Sequence, residues 1–557
     1  MRSSIPLKAT LAALSCLVFL AALGCSGENA PDSSAPSSGQ AGQASQADQA
    51  APAETAASDN TITFAVSTDL GDFNPHLYNA TQYAQDFLYE GLVYQTNGKV
   101  EPCLAESWEI SEDGLEIVFH LRKGAKFSDG SAFDAHNVKK NFDAIMSHPE
   151  DYNWMGLVNS MDRYEVVNDD TFKVIFKEPY YAALQEFSSV RPFRMLGDAG
   201  FMEDGSTAGG IKAPIGTGLW KLDKHVDGEY SVFSKNPHYW GQAPKLDGFT
   251  ARVIPKGETA VTSLKVGEID LIYDLFESEL MTISNYEIFE NDENYRTFIS
   301  GPMFTRIMTV NTTRAPLNDL NVRKAIALAL DREAMVQNVF HKTEPVATGF
   351  MWEGIPYCDV GLKPIPYDQA QAKALLDQAG WTIKEGQSVR SKDGKPFEIG
   401  LYYDSINVIH RAFAQIIQAQ LNEVGIKVNL TGEESAAYVN RGVAGDFDLT
   451  FSLSWGEPYD PHSTLNSLAT HSGTTDFTGV AGLPNYDELA QQIKDVLHVT
   501  SHEKRQEMYK EILTTIHEGY GLIALSYKTN RAAAKKNVEN VEFHFSYDMP
   551  LGHTVKR

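Results

Sequence analysis

Cysteine is scarce: four in 557 residues, with no CxxC spacing, are too few to staple a fold. Cys16 and Cys25 sit near the N-terminus, which leaves Cys103 and Cys358 open to two readings, a disulfide in an oxidising compartment or two buried free thiols. Basic excess is also missing, because 47 Lys and Arg stand against 73 Asp and Glu, a formal charge of -26. Such a balance disfavours nucleic acid and suits a soluble envelope protein. There is no G-x-S-x-G, no G-x-x-x-x-G-K, no G-x-G-x-x-G and no H-E-x-x-H. His498 and His502 lie four apart on a helical pattern, yet Glu503, Lys504 and Arg505 beside them mark a solvated face and not a metal pair. Nothing in the chain argues positively for catalysis, and an exported α/β enzyme is the weakest of three functional readings. After Gly24 no apolar run is long enough to span a bilayer. From Ser26 to Ser58 there is no aromatic, Val, Ile, Leu or Met, so this stretch has nothing to bury and is expected to be a flexible tether.

What is present begins with an address. Arg2 and Lys8 precede a nearly unbroken apolar run from Ala9 to Gly24, closed by Ala22-Leu23-Gly24-Cys25. As a helix that run spans about 24 Å, short of the about 30 Å hydrocarbon core. A cleaved secretory signal over residues 1–24 is the reading that follows. Cys25 after Gly24 resembles the bacterial lipobox, although that motif prefers Leu where Ala22 stands. The expectation is a lipidated Cys25 followed by a linker to residue 58, anchoring the protein to a membrane of the periplasm or cell envelope.

Strand and helix signals alternate through the rest. Thr61–Val66, Leu115–Leu121 and Thr171–Phe176 read as strands, and Tyr83, Phe87 and Leu88 fall on one helical face. Helices are expected over Asp134–Met146, Asn321–Phe340, Asp368–Gly380 and Ile409–Val424, two of them running up to Gly380 and Gly425 as stop signals. This is an α/β pattern.

Two segments carry a resemblance. Leu121-Arg-Lys-Gly-Ala-Lys-Phe-Ser-Asp-Gly130 with Phe133-Asp-Ala135, and Pro214-Ile-Gly-Thr-Gly-Leu-Trp220 with Asn236-Pro-His-Tyr-Trp240, resemble the solute-binding proteins of peptide and nickel ABC importers. The resemblance implies a periplasmic binding protein fold of the peptide-binding, class C-like type, with two lobes, a hinge and an enlarged first lobe. Lobe I would take residues 59–301 and 523–557, and lobe II residues 302–522. Arg191-Pro-Phe-Arg194, Gly361-Leu-Lys-Pro364 and Trp455-Gly-Glu-Pro-Tyr-Asp-Pro-His462 are closest to the nickel branch. That branch implies a monomer, with no catalytic cofactor, that captures Ni²⁺ as a small organic chelate and passes it to an ABC permease in the inner membrane. A dipeptide or oligopeptide ligand is the alternative.

By that likeness His471 would be the one protein ligand to the metal, an imidazole suiting Ni²⁺. Arg191 would fork onto a chelator carboxylate. Tyr78, Trp154, Trp455 and Tyr459 would wall the cleft, while His76 and His462, in Asn-Pro-His and Asp-Pro-His turns, read as structural. Three positions depart from the branch. Asp151 stands where it can carry a second arginine, Tyr83 where it has a methionine, and Glu457 where the dipeptide branch has an acid that pairs with the peptide amine. The added negative charge implies a ligand less anionic than the usual nickel chelate, or one with a free ammonium.

Overall fold

The chain divides into two units, Met1–Ala57 and Ser58–Arg557. The computed structural model describes residues 60–78, 81–96, 98–274, 280–470, 475–544, 549 and 551–556, all in the second unit. The signal, Cys25, the linker and His471 lie outside the described residues.

A ten-stranded mixed sheet runs through this unit. Its order is Lys427–Glu433, Glu398–Asp404, Leu449–Leu453, Tyr295–Val310, Leu522–Lys535, Leu271–Tyr273, Thr61–Val66, Gly248–Val253, Tyr230–Lys235 and Trp220–Val226. Thr61–Val66 pairs in parallel with Gly248–Val253 and Leu271–Tyr273, and Glu398–Asp404 in parallel with Lys427–Glu433. At the centre Tyr295–Val310 and Leu522–Lys535 run antiparallel, with register shifts between Ile299 and Pro302, between Pro302 and Phe304, and between Arg306 and Ile307. Leu522–Lys535 is buried over all but its last residue, including Lys528, Thr529, Asn530 and Arg531. A strand covered on both faces normally reads as a continuous apolar run, so this polar stretch needs internal partners.

A second sheet, of four antiparallel strands, has the order Ala105–Ile110, Glu116–Leu121, Thr171–Phe176 and Met161–Asn168. Ile117, Phe119 and Leu121 alternate inward, the period of a half-buried strand. The helix Ala135–Met146 closes that face. Asp134 caps it by accepting from the His136 and Asn137 amides, and Phe142 packs 4.9 Å from Phe172 and 5.0 Å from Phe193, ring centre to ring centre. Helices Gln369–Gln378 and Val408–Glu423 cover one end of the large sheet and stop before Gly380 and Gly425, at φ +85° and +87°. The strand expectations and three of the four named helices hold to within two residues. The expected helix Asn321–Phe340 is two, Leu320–Ala329 and Arg332–Phe340. Asp331 starts the second by accepting from the Ala334 amide, a capping geometry that competes with an unbroken helix.

Candidate binding site

The site begins at the Asn74-Pro75-His76 turn. Asn74 accepts from the His76 amide at 3.0 Å and donates to the Thr207 carbonyl at 2.6 Å. His76 Nδ1 lies 3.0 Å from Thr207 Oγ1, and Nε2 lies 3.1 Å from the Arg194 carbonyl, which fixes the proton on Nε2. Burial lowers its pKa to about 4, so the ring is neutral and structural, in line with the sequence. The turn thereby holds the backbone that leads into Tyr78.

Tyr78 is the floor for Arg191. The guanidinium stands 4.2 Å from the Tyr78 ring centre and also donates to the Tyr78 carbonyl. With the Gln82 amide oxygen turned toward it, Arg191 Nε and Nη2 donate at 2.9 and 3.0 Å. Tyr152 and Trp154 pack edge-on to Tyr78 at 6.0 and 6.2 Å, and the Tyr152 hydroxyl donates to the His76 carbonyl at 2.9 Å. Trp455 and Tyr459 then meet Trp154 at 6.0 and 5.5 Å, both edge-on. Their loop is set by Asp460, which accepts from the Gly456 amide at 3.1 Å and from the Thr464 hydroxyl, while Thr464 Oγ1 accepts from the Trp455 amide at 3.2 Å. Gly456 takes φ +73°, a conformation that a side chain disfavours.

One group in this cluster is poised for a ligand. Trp154 Nε1 is buried without a hydrogen-bond partner, and an unmade bond at a buried N–H costs about 1–3 kcal/mol. The Tyr459 hydroxyl is raised in pKa, chiefly by burial, with the Arg191 charge opposing, so it stays a neutral donor.

The structure thus brings together Tyr78, Trp154, Arg191, Trp455 and Tyr459. Three other named residues stand apart. Tyr83 packs at 6.3 Å on Phe87, four residues along its own helix, and burial pushes its hydroxyl up to about 12. Asp151 is exposed on the turn Pro149–Tyr152, near enough to Tyr152 to raise its hydroxyl pKa. Glu457 turns toward another segment, accepting from Gln95 Nε2 at 3.3 Å and the Gly98 amide at 3.2 Å, and lines a separate 160 Å³ cavity with Thr305, Trp352 and His544. Burial raises the pKa of its carboxyl.

His462 is buried, 3.3 Å from Glu186 Oε1. Glu186 also accepts from the Leu157 amide at 2.6 Å, the Tyr180 hydroxyl at 2.8 Å and the Ser463 hydroxyl at 2.9 Å. This hub ties the segment carrying Trp154 to the one carrying Tyr459; in sequence Glu186 is an unremarked acid. Tyr152 and Gln82 were also missed, although each adjoins a named residue. His498 binds the Pro179 carbonyl and His502 the Tyr357 hydroxyl, so they form no pair. Cys103 and Cys358 are both buried free thiols, which closes the disulfide alternative.

A mixed α/β unit built on two long central strands, which gathers rings and a guanidinium from distant segments into one cluster, has the make-up of a protein that captures solutes. Residues 99–476 match the model of the bacterial extracellular solute-binding proteins, family 5. The nickel-binding periplasmic protein of Escherichia coli K12 is 36% identical over 490 residues, 88% of this chain and 93% of that one. NikA from Brucella suis, in complex with Fe(III)-EDTA, superposes with a TM-score of 0.85 at 39% identity, covering 89% of this chain and all of that one. NikZ from Campylobacter jejuni, in complex with Ni(L-His), shares the fold at a TM-score of 0.74 and 23% identity, over 90% of this chain and all of that one. The chain belongs to family 5 of the bacterial extracellular solute-binding proteins, has the periplasmic binding protein fold, and is a binding protein and not an enzyme. Membership bears out the resemblance carried by Leu121–Gly130 and Pro214–Trp220.

Proposed function

We propose that this protein captures Ni²⁺, or a related transition metal, as a small organic chelate and delivers it to an ABC permease. The observation that carries the reading is the aromatic cluster around Arg191 and the unpartnered Trp154 Nε1: a cation, a free N–H donor and rings that exclude water. A carboxylate of the chelator would meet Arg191, and an acceptor atom would meet Trp154 Nε1. His471 would supply an imidazole to the metal. The described residues hold no cage at this cluster that could strip a bare ion of its water, so the metal has to arrive already held.

Lobe I, residues 59–301 and 523–557, would present Tyr78, Trp154 and Arg191, and lobe II, residues 302–522, Trp455, Tyr459 and His471. Ligand held by both sets favours the closed state because only differential affinity shifts a population. A cleaved signal over residues 1–24, a lipidated Cys25 and the linker to Ser58 would tether the domain to its membrane. As a flexible tether, the thirty-odd residues of that linker would reach roughly 30 Å on average, enough for a monomer to visit the permease. Peptide binding is the second reading, favoured by the half-buried Glu457 carboxylate in its own cavity. Calorimetry of the purified protein with Ni²⁺ plus L-histidine, Ni²⁺ plus an amino-carboxylate chelator, and a peptide pool separates the two. Heat with peptides and none with either chelate reverses the choice.

A further inference from the structure

Residues 179–187 leave the four-stranded sheet after the strand Thr171–Phe176 and end in the short helix Ala183–Phe187. In the two-lobe division proposed above they belong to lobe I, yet the partners of Tyr181 all come from lobe II. Its amide donates to the Leu497 carbonyl at 3.0 Å, and its hydroxyl lies 2.6 Å from the Tyr509 hydroxyl. Its ring meets those of Tyr357, His462 and Tyr509 edge-on, at 5.7, 6.3 and 6.4 Å, and the Arg505 guanidinium stands 4.7 Å from its centre. Arg505 is itself fixed, donating to the Val499 and Thr500 carbonyls at 2.7 and 2.9 Å and to the Tyr357 hydroxyl at 3.0 Å. The tyrosine is a peg in a socket that the facing lobe builds.

Both flanks of the peg are also tied across. His498 Nδ1 donates to the Pro179 carbonyl at 2.8 Å, and the Ser463 hydroxyl donates to Glu186 at 2.9 Å. Glu186 is 0% exposed, so parting the lobes would strip a donor from a buried carboxylate. These bonds are directional and cannot slide as apolar contacts can; the lobes either make them together or lose them together. Tyr181 and Glu186 stand outside the ring-and-guanidinium cluster and reach it through the chain. Glu186 accepts from the amide of Leu157, three residues past Trp154, and Ser463 lies four residues past Tyr459.

We infer that Tyr181 and Glu186 are positioning residues for capture, forming a latch that holds the closed lobes together whatever ligand lies between them. The inference rests on the capture reading above. A latch stabilises the closed arrangement by one amount for every ligand, so loosening it speeds release of each by a common factor. A residue that touches the ligand changes different ligands by different factors.

Two mild variants test this: Tyr181→Phe removes one hydroxyl, and Ser463→Ala removes one donor to Glu186. Stopped-flow release of Ni²⁺ with L-histidine, and of Ni²⁺ with an amino-carboxylate chelator, should quicken by the same factor in each variant, about threefold to tenfold. Association should not slow. Hydrogen exchange of the ligand-free protein, read by mass spectrometry, is the second arm. The Tyr181 amide bonds across the boundary, so the peptide over residues 179–186 should exchange faster in Ser463→Ala by a similar factor, while the strand Glu116–Leu121 keeps its wild-type rate. Unequal factors for the two chelates, unchanged exchange at residues 179–186, or acceleration shared by Glu116–Leu121 overturns the latch. If the wild type binds neither chelate, the capture reading falls and exchange alone decides the latch.

Discussion

Replacing Trp154 with Phe should move stability and affinity by different amounts, and the structure says why. The indole Nε1–H is buried with no partner, so the free protein carries an unmade hydrogen bond worth about 1–3 kcal/mol. Phe removes that donor and with it the penalty. Against this, the smaller ring gives up packing against Tyr78, Trp455 and Tyr459, at 6.2, 6.0 and 5.5 Å. Trimming buried aromatic volume costs about 1–3 kcal/mol when the site collapses in part. The two terms nearly cancel, and urea unfolding of the ligand-free variant should lie within about 1 kcal/mol of wild type. Affinity has no such compensation. A chelate that accepts from Nε1 loses one hydrogen bond of about 1–1.5 kcal/mol, so its Kd should rise about tenfold. Calorimetry with Ni²⁺ plus L-histidine measures that. A variant destabilised by 3 kcal/mol with unchanged affinity would refute the reasoning, because Trp154 would then be a packing residue only.

The remaining predictions concern charge. Asp476, buried and accepting from Thr309 Oγ1 at 2.8 Å, has its carboxyl raised from 3.8 to about 6 by burial. A raised acid binds its proton more tightly folded than unfolded, so its contribution is lost as pH climbs from about 4 to 6, about 3 kcal/mol in all. Asp476→Asn should therefore gain on wild type by about that amount between pH 4 and pH 7 in urea unfolding; a constant difference would refute it. His76, lowered by burial from 6.5 to about 4, has the opposite sign: about 3 kcal/mol is present above pH 6.5 and lost as pH falls through 4. His76→Asn should flatten that acid limb, and an unchanged slope would count against a neutral buried ring. Asp151→Asn and Glu457→Gln should tighten an anionic chelate by about 0.2–1 kcal/mol each, the scale of partly exposed charge pairs. Identical titrations for the variants and wild type would remove these residues from ligand selection.

Local pattern carried most of the fold. The apolar pattern at Thr61–Val66 and Thr171–Phe176 marks those strands to the residue, since the first four positions of each alternate and the last three are buried together. It failed at Leu330-Asp331, where no Gly or Pro signals the break and a side-chain cap at Asp331 makes it. The site was legible only through motif likeness, since residues 78, 154, 191, 455 and 459 share no local period and meet through tertiary packing. Position matching also placed Tyr83 in the pocket, yet the i, i+4 pairing with Phe87 gives its ring a core neighbour on its own helix. Glu186 was invisible for the converse reason: a charged residue reads as exposed until the elements covering it are assembled.

The central strand Leu522–Lys535 follows the other nine strands of its sheet in sequence, yet four of them lie to one side of it and five to the other. Until it is laid down, two half-sheets face each other with open edges at Leu271–Tyr273 and Tyr295–Val310. Closure of the sheet therefore waits for nearly the whole chain to be synthesised, and long-range pairing of this kind is slow. A polypeptide that must cross a membrane before folding gains time from that order. The keystone arrives last, so a ribosome-bound or half-translocated chain cannot lock into the native sheet on the wrong side.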